Sequence, residues 1–140
     1  RRFLRDRHGD PAMESAVAEL LEEGDIARHV WRARRVYLAR RDALLDVLRE
    51  QLPSELSFSV PAGGMALWAK VREDINVDAW ALRAARSGPR NVHVRVGKNF
   101  AFKGKSSPFL RLGFAYLSEK EMREGIETLR RALPARLKLR

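Results

Sequence analysis

A change of hydrophobic period between Leu48 and Leu56 limits what this chain can fold into more than any other feature of the sequence. Up to Leu48, the residues Ile26, Val30, Ala33, Tyr37, Leu44 and Leu48 recur at helical spacing, with Arg28, Arg32, Arg35, Asp42 and Asp46 on the opposite side. The pattern predicts an amphipathic helix of about 25 residues, stopped before Pro53, whose charged stripe is a solvated face. From Leu56 the period is two. Leu56, Phe58 and Val60 alternate with Ser57 and Ser59, and after Pro61-Ala62-Gly63-Gly64 the residues Met65, Leu67, Ala69 and Val71 alternate again. Two strands joined by such a turn make a hairpin or a sharp corner, and the glycines let the strand pass close to another backbone.

The same reasoning extends to both ends. Pro11, with Met13, Val17, Leu20 and Leu21, opens a short helix over 11–23 that ends at Gly24-Asp25. Asn76 caps a helix running to about Arg86, with Val77, Trp80, Ala81 and Ala84 inward and Gly88 as its left-handed stop. Val92, Val94 and Val96 alternate with His93 and Arg95 in a third strand. A loop containing Gly97, Gly104 and Pro108 follows, then a fourth strand with Leu110, Leu112 and Phe114 inward. Ser118 and Glu121 form a capping box before the stripe Met122, Ile126, Leu129 and Leu133. The economical packing is α+β: a small, mostly antiparallel four-stranded sheet with helices gathered on one face.

The 140 residues, 45% hydrophobic, 33% charged and without Cys, suit one globular core and exclude a collagen-like repeat or a disulfide-stapled module. No stretch approaches the roughly 20 apolar residues of a membrane helix, and the start lacks an apolar signal core, so the expectation is a cytoplasmic protein with no membrane partner. The sequence begins with Arg1 rather than Met, as a piece of a longer protein would.

Net charge is +10, from 28 basic and 18 acidic residues, but the excess is spread along the chain, and 22 of the basic residues are Arg. Nucleic-acid-binding modules concentrate charge along one phosphate track, and outside the long helix no such concentration exists here. His8, His29 and His93 are too far apart for a metal spacing, so no metal site is expected. His93, between inward valines, reads as a sheet-face residue. Arg111 is different. It shares the face of the last strand opposite Leu110, Leu112 and Phe114 with Gly113, which leaves open space beside it. An Arg in mid-strand must meet an anion or solvent, and a guanidinium with room next to it suits bidentate capture of a carboxylate. The competing reading is an exposed sheet-face Arg.

The runs Tyr37-Leu38-Ala39-Arg40-Arg41-Asp42-Ala43-Leu44, Pro61-Ala62-Gly63-Gly64-Met65-Ala66-Leu67-Trp68 and Leu110-Arg111-Leu112-Gly113-Phe114-Ala115 resemble, in order and spacing, the C-terminal small domain of fold type I, pyridoxal-phosphate-dependent aminotransferases. Asn99-Phe100-Ala101-Phe102 and Leu117-Ser118-Glu119 look most like the MocR branch of GntR-type transcriptional regulators. Those proteins join an N-terminal winged helix-turn-helix to an aminotransferase-like domain. The resemblance covers residues 20–133. It implies that Arg111 binds the α-carboxylate of a substrate or effector, and that the Gly63-Gly64 corner lets this domain close on a large one. One departure stands out: Val96-Gly97 occupies the place of the family's Pro-Gly, which puts the loop bordering the site in question.

In this superfamily the Schiff-base Lys lies in the large domain. None of the six lysines here, Lys70, Lys98, Lys103, Lys105, Lys120 and Lys138, has its sequence context. No catalytic residue is therefore expected in this chain, and no pyridoxal phosphate bound to it alone. The expected organisation is a junction segment with a short helix at 1–24, an aminotransferase-like subdomain at 25–134 and a basic tail at 135–140. The functional expectation is a fragment of a bacterial regulator whose parent carries pyridoxal phosphate, forms a homodimer, binds an amino compound and meets DNA only through a missing N-terminal domain. A true amino-acid aminotransferase is the first alternative, and a stand-alone basic module for nucleic acid or a protein partner is the second.

Overall fold

The structure, a computed structural model, describes residues 9–87, 92–102, 104–105 and 107–134. His8, the Gly88 helix stop and the tail at 135–140 lie outside the described residues. In chain order the elements are α1 (Pro11–Glu22), α2 (Asp25–Gln51), β1 (Leu56–Ser57), β2 (Ala66–Val71), α3 (Val77–Arg86), β3 (Arg95–Val96) and β4 (Phe109–Gly113), with α4 (Glu119–Arg131) last. The chain divides into two compact units between Val36 and Tyr37.

In the first unit, Asp10 caps α1 by accepting from the backbone N–H groups of Ala12 and Met13 (3.1 and 3.3 Å), with Pro11 at the first helical position where no N–H is needed. No residue of α1 is buried, and Met13, Val17, Leu20 and Leu21 are exposed. The periodicity predicted a stripe along the whole of α2, yet Val30 of that stripe is exposed, Ile26, Ala33 and Tyr37 are only half-buried, and full burial begins at Leu44. Amphipathic spacing specifies which face is apolar, and burial needs a surface opposite it.

The second unit carries the core. Four antiparallel strands lie in the order β1-β2-β4-β3, with Leu56 opposite Val71, Leu67 opposite Leu112, Ala69 opposite Leu110, and Val96 opposite Leu110 on the other side. Those residues form a single buried cluster with Leu44, Leu45 and Leu48 of α2, Trp80 and Ala84 of α3, and Met122, Ile126 and Leu129 of α4. Each fully buried Leu or Phe side chain contributes about 1.5–3 kcal/mol relative to exposure. Among the described residues no polar or charged residue is buried. The helices therefore cover one face of the sheet, as the α+β reading predicted. Asn76 caps α3 through Ala79 N–H (3.0 Å), and Ser118 with Glu121 forms the expected capping box on α4.

Two strands are shorter than their alternation implied. β1 ends at Ser57, leaving Phe58 half-buried and Val60 exposed. Beyond it the Pro61 carbonyl accepts from Arg41 Nη1 on α2 (3.0 Å), which takes the chain off the edge of β2. In β3 only Arg95 and Val96 pair with β4, so Leu112 and Gly113 have no β3 partner. The segment after β3 was expected to be plain loop, and it begins with a 3-10 turn at Gly97–Phe100.

Candidate functional site

Arg111 sits at the centre of the sheet, with Trp68 of β2 and Arg95 of β3 as its direct cross-strand partners. Opposed residues of antiparallel strands project from the same face, so the three side chains form one row on the surface away from the helices. Trp68 and Arg95 are exposed and Arg111 is half-buried. Among the described residues the Arg111 guanidinium makes no hydrogen bond or ion pair.

The apolar side of this row is an aromatic group. The Trp68 ring meets Phe100 edge-on at 5.1 Å and 78°, and Phe109 at 6.3 Å and 76°. Two contacts from α2 fix the backbone nearby. The Arg40 guanidinium donates to the carbonyl of Ala115 just after β4, and Arg41 holds Pro61 as described above. Phe114 N–H donates to the Met65 carbonyl (3.1 Å), so the end of β4 and the start of β2 are tied together.

Gly113, two residues from Arg111, has the open space expected of it. A Cβ placed there would meet only the Met65 carbonyl oxygen, at 4.0 Å. Gly113 and Arg111 also line a small cleft of about 90 Å³, but its other walls are Val92–Val94 and the helix-side residues Leu44, Leu112, Met122 and Ile126, so it opens under the sheet and not on the face of the Arg111 row. The Gly63-Gly64 turn needs a different account from the one its sequence suggested. A Cβ at either position would meet nothing within 4 Å, so no backbone approaches there; Gly64 is required by its own conformation, φ +87°. A larger concavity, about 700 Å³, lies elsewhere, between Pro53–Ser57 and Lys70–Asp74. Its Arg72 is already hydrogen-bonded to Asp74 (2.5 and 3.1 Å) and close to Glu55 (3.8 Å), so that guanidinium is not available to a ligand anion as Arg111 is.

The comparisons with known proteins bear on this arrangement. Residues 2–129 match the family described as aminotransferase class I and II. The chain belongs to that family. The 2-aminoadipate transaminase of Thermus thermophilus is 32% identical over 96% of this chain and 33% of its own length. The probable rhizopine catabolism regulatory protein MocR of Rhizobium meliloti is 31% identical over 88% of this chain and 24% of its own. Among solved structures, an alpha-aminoadipate aminotransferase from Thermus thermophilus superposes with a TM-score of 0.72 at 33% identity, covering 83% of this chain and 29% of that one. A multiple substrate aminotransferase from Thermococcus profundus gives 0.73 at 28%, covering 82% and 28%. This aminotransferase-family chain thus spans about a third or less of the length of the curated relatives it matches, and those relatives include both enzymes and regulators.

Pyridoxal phosphate, the family's cofactor, can be tested against the residues present. A lysine that holds it must be desolvated enough to lose its proton. Lys70, Lys98, Lys105 and Lys120 are all exposed, and Lys98 is paired with Asp78 (2.5 Å). The described residues do not fit a covalent pocket for the cofactor. No group of three or more His, Asp or Glu able to hold a metal ion occurs among the described residues. Nor is any helix among them long and apolar enough to cross a membrane.

Periodicity alone placed Arg111 and Gly113 on the correct face. It did not reveal Arg95 and Trp68 as the flanking pair, because that depends on strand register. The only signal available was that Arg95 and Arg111 each occupy an outward position of their own strand.

Proposed function

We propose that this chain is the aminotransferase-like part of a longer regulator of the MocR type, and that it senses an amino compound by holding the ligand's carboxylate on Arg111. The observation that carries the reading is the half-buried Arg111 in mid-sheet, with no acidic partner among the described residues and open space at Gly113. A guanidinium with free neighbouring volume matches the two oxygens of a carboxylate in a planar, bidentate pair. Residues 25–134 would form the sensing subdomain and 1–24 its junction with a large domain. That domain would supply pyridoxal phosphate and its lysine, and the cofactor when bound contributes the electrophilic group that engages the ligand's amine.

Arg111 would then orient the ligand, and the turn at Gly63-Gly64 would accompany closure of the subdomain over it. Closure preferred by the ligand-bound form shifts the population of states seen by DNA-binding heads outside this chain, in what we take to be a homodimer. The identity shared with the rhizopine catabolism regulator supports this reading. The comparable identity shared with the 2-aminoadipate transaminase supports a second, in which the parent is a transaminase and Arg111 orients its amino-acid substrate for reaction.

Calorimetric titration of the full-length protein with amino acids tests the common element. Arg111→Ala should weaken binding by about 1.5–3 kcal/mol, roughly ten- to a hundred-fold in Kd, and Arg111→Lys should recover only part of it. Unchanged affinity in both variants would remove Arg111 from the site. Turnover of an amino donor with a keto acid separates the readings, since a transaminase sustains it and a sensor does not.

A further inference from the structure

β3 stops short of the pairing its sequence allows. Arg95 and Val96 pair with Arg111 and Leu110, and the same register continued would set Val94 opposite Leu112 and His93 opposite Gly113, yet neither pair forms. The β4 backbone is oriented for them. Phe114 N–H donates to Met65 at the start of β2, so by the alternation of antiparallel pairing the N–H and carbonyl of Gly113 point toward β3, where among the described residues no main-chain bond meets them. The side chains also keep the pattern. Val92, Val94 and Val96 alternate inward, but only Val96 is buried, and Val92 and Val94 are half-buried. The space they leave is the cleft of about 90 Å³ under the sheet, which Gly125 of α4 also lines.

We propose that Val92–Val94 is a strap with two states, held off β4 by charge repulsion between Arg95 and Arg111 and zipped onto it when that repulsion is relieved. Those two arginines form the last pair before the strap leaves the sheet. Their Cβ atoms are about 4.5–5.5 Å apart on one face, and like charges in that relation disfavour pairing. Among the described residues neither guanidinium has a carboxylate partner to offset it. Closure forms the Val94–Leu112 and His93–Gly113 pairs, turns Val92 and Val94 into the cleft and sets His93 beside the open space at Gly113. One like-charge pair shifts an equilibrium by up to about fivefold, enough to move a strap near balance and too little to unfold the sheet. An anion on Arg111 relieves the repulsion in turn. For that trigger alone the inference rests on the reading of Arg111 given above, and the strap itself does not.

Amide hydrogen exchange in the full-length protein, resolved to single residues and without added ligand, tests the strap. Arg95→Gln removes the repulsion without touching Arg111 and should slow exchange at Gly113 and His93 about two- to fivefold, and Arg111→Gln should do the same. The amides of Leu67 and Leu110, in the paired part of the sheet, are the reference, since a change in overall stability would move them too. Gly125→Leu is the counter-test. A Cβ at Gly125 meets nothing within 4 Å, and a longer side chain there enters the cleft from α4 and blocks closure, so adding it to Arg95→Gln should return Gly113 to the exchange rate of the unaltered protein. Unchanged or faster exchange at Gly113 in Arg95→Gln, slowing that Leu67 and Leu110 share equally, or slowing that survives Gly125→Leu overturns the inference. The Arg111 reading fails separately: unchanged amino-acid affinity in Arg111→Ala removes the trigger and leaves the strap, whose test contains no ligand.

Discussion

The indole Nε1–H of Trp80, in the middle of α3, donates to the main-chain carbonyl of Leu129 near the end of α4 at 2.7 Å. That carbonyl is one of the four at a helix C-terminus that lack an intrahelical partner, since Leu133 N–H bonds to the Arg130 carbonyl instead (3.2 Å). Trp80 is fully buried, so the contact satisfies a polar group where water cannot. Trp80→Phe keeps the aromatic packing and leaves the carbonyl unpaired, which should lower stability by about 1.5–3 kcal/mol. Urea unfolding would register this as a lower midpoint with an unchanged slope. A loss under about 0.5 kcal/mol would mean that the helices pack equally well without the bond.

The two glycines of the β1–β2 connection should respond in opposite ways. Gly64 has φ +87°, where an L side chain is strained, and Gly63 has no positive φ. Neither would meet an obstacle within 4 Å, so sterics do not separate them and backbone conformation does. Gly64→Ala should cost about 1–2 kcal/mol, whereas Gly63→Ala should be neutral or stabilise by up to about 1 kcal/mol through the unfolded chain. Thermal unfolding of the two variants side by side reads the difference, and equal shifts would contradict it.

These same residues mark how far the sequence could be read. Leu67, Ala69 and Val71, like Leu110 and Leu112, are buried as their alternation required, and Asn76 and Ser118 cap their helices because short polar side chains fit few other roles before an apolar run. The expectation failed where burial depends on a partner rather than a period. Val30 keeps helical spacing and is exposed, and Val60 keeps strand spacing but lies beyond the last paired residue of β1. At the site, Arg111 was legible as an outward residue flanked by inward ones. Its neighbours Trp68 and Arg95 were not, because pairing register is set by long-range contacts that no local pattern encodes.

Arg72 links the end of β2 to the turn before β1. It donates to both oxygens of Asp74 and to the Ser54 carbonyl (3.1 Å), with Glu55 at 3.8 Å. The hydrogen bond to Asp74 is the largest cause that holds the Arg72 guanidinium above its ordinary pKa. A cation with a raised pKa contributes stability that is fully present below its unfolded value and is lost only as pH rises through the higher folded one. The penalty of Arg72→Gln should therefore be the same at about pH 6 and about pH 9, and should disappear only in strong alkali. Urea midpoints of both proteins at the two pH values check this, and a penalty that falls between them would show that another group titrates at the contact.

Gly97 is buried immediately after β3, where Val96-Gly97 replaces the expected Pro-Gly. A Cβ there would lie 2.5 Å from Ser107 Oγ, 2.8 Å from Ser107 Cβ and 3.2 Å from Phe109 Cβ. The first two separations are below van der Waals contact, so Gly97→Ala must displace the segment that enters β4 and should cost about 1–3 kcal/mol. Ser107→Gly alone removes the obstacle and should cost about 0.5–1 kcal/mol in chain entropy. The double variant should be more stable than the sum of the two losses by about 0.5–2 kcal/mol, because each change relieves the other. Phe109 begins β4, packs its ring near Trp68 and precedes Arg111 by two residues, so the same displacement reaches the row proposed to hold the ligand. Amino-acid affinity of the full-length protein should fall in Gly97→Ala and return in the double variant, and additive losses in both stability and affinity would show that the backbone here absorbs the extra carbon without moving β4.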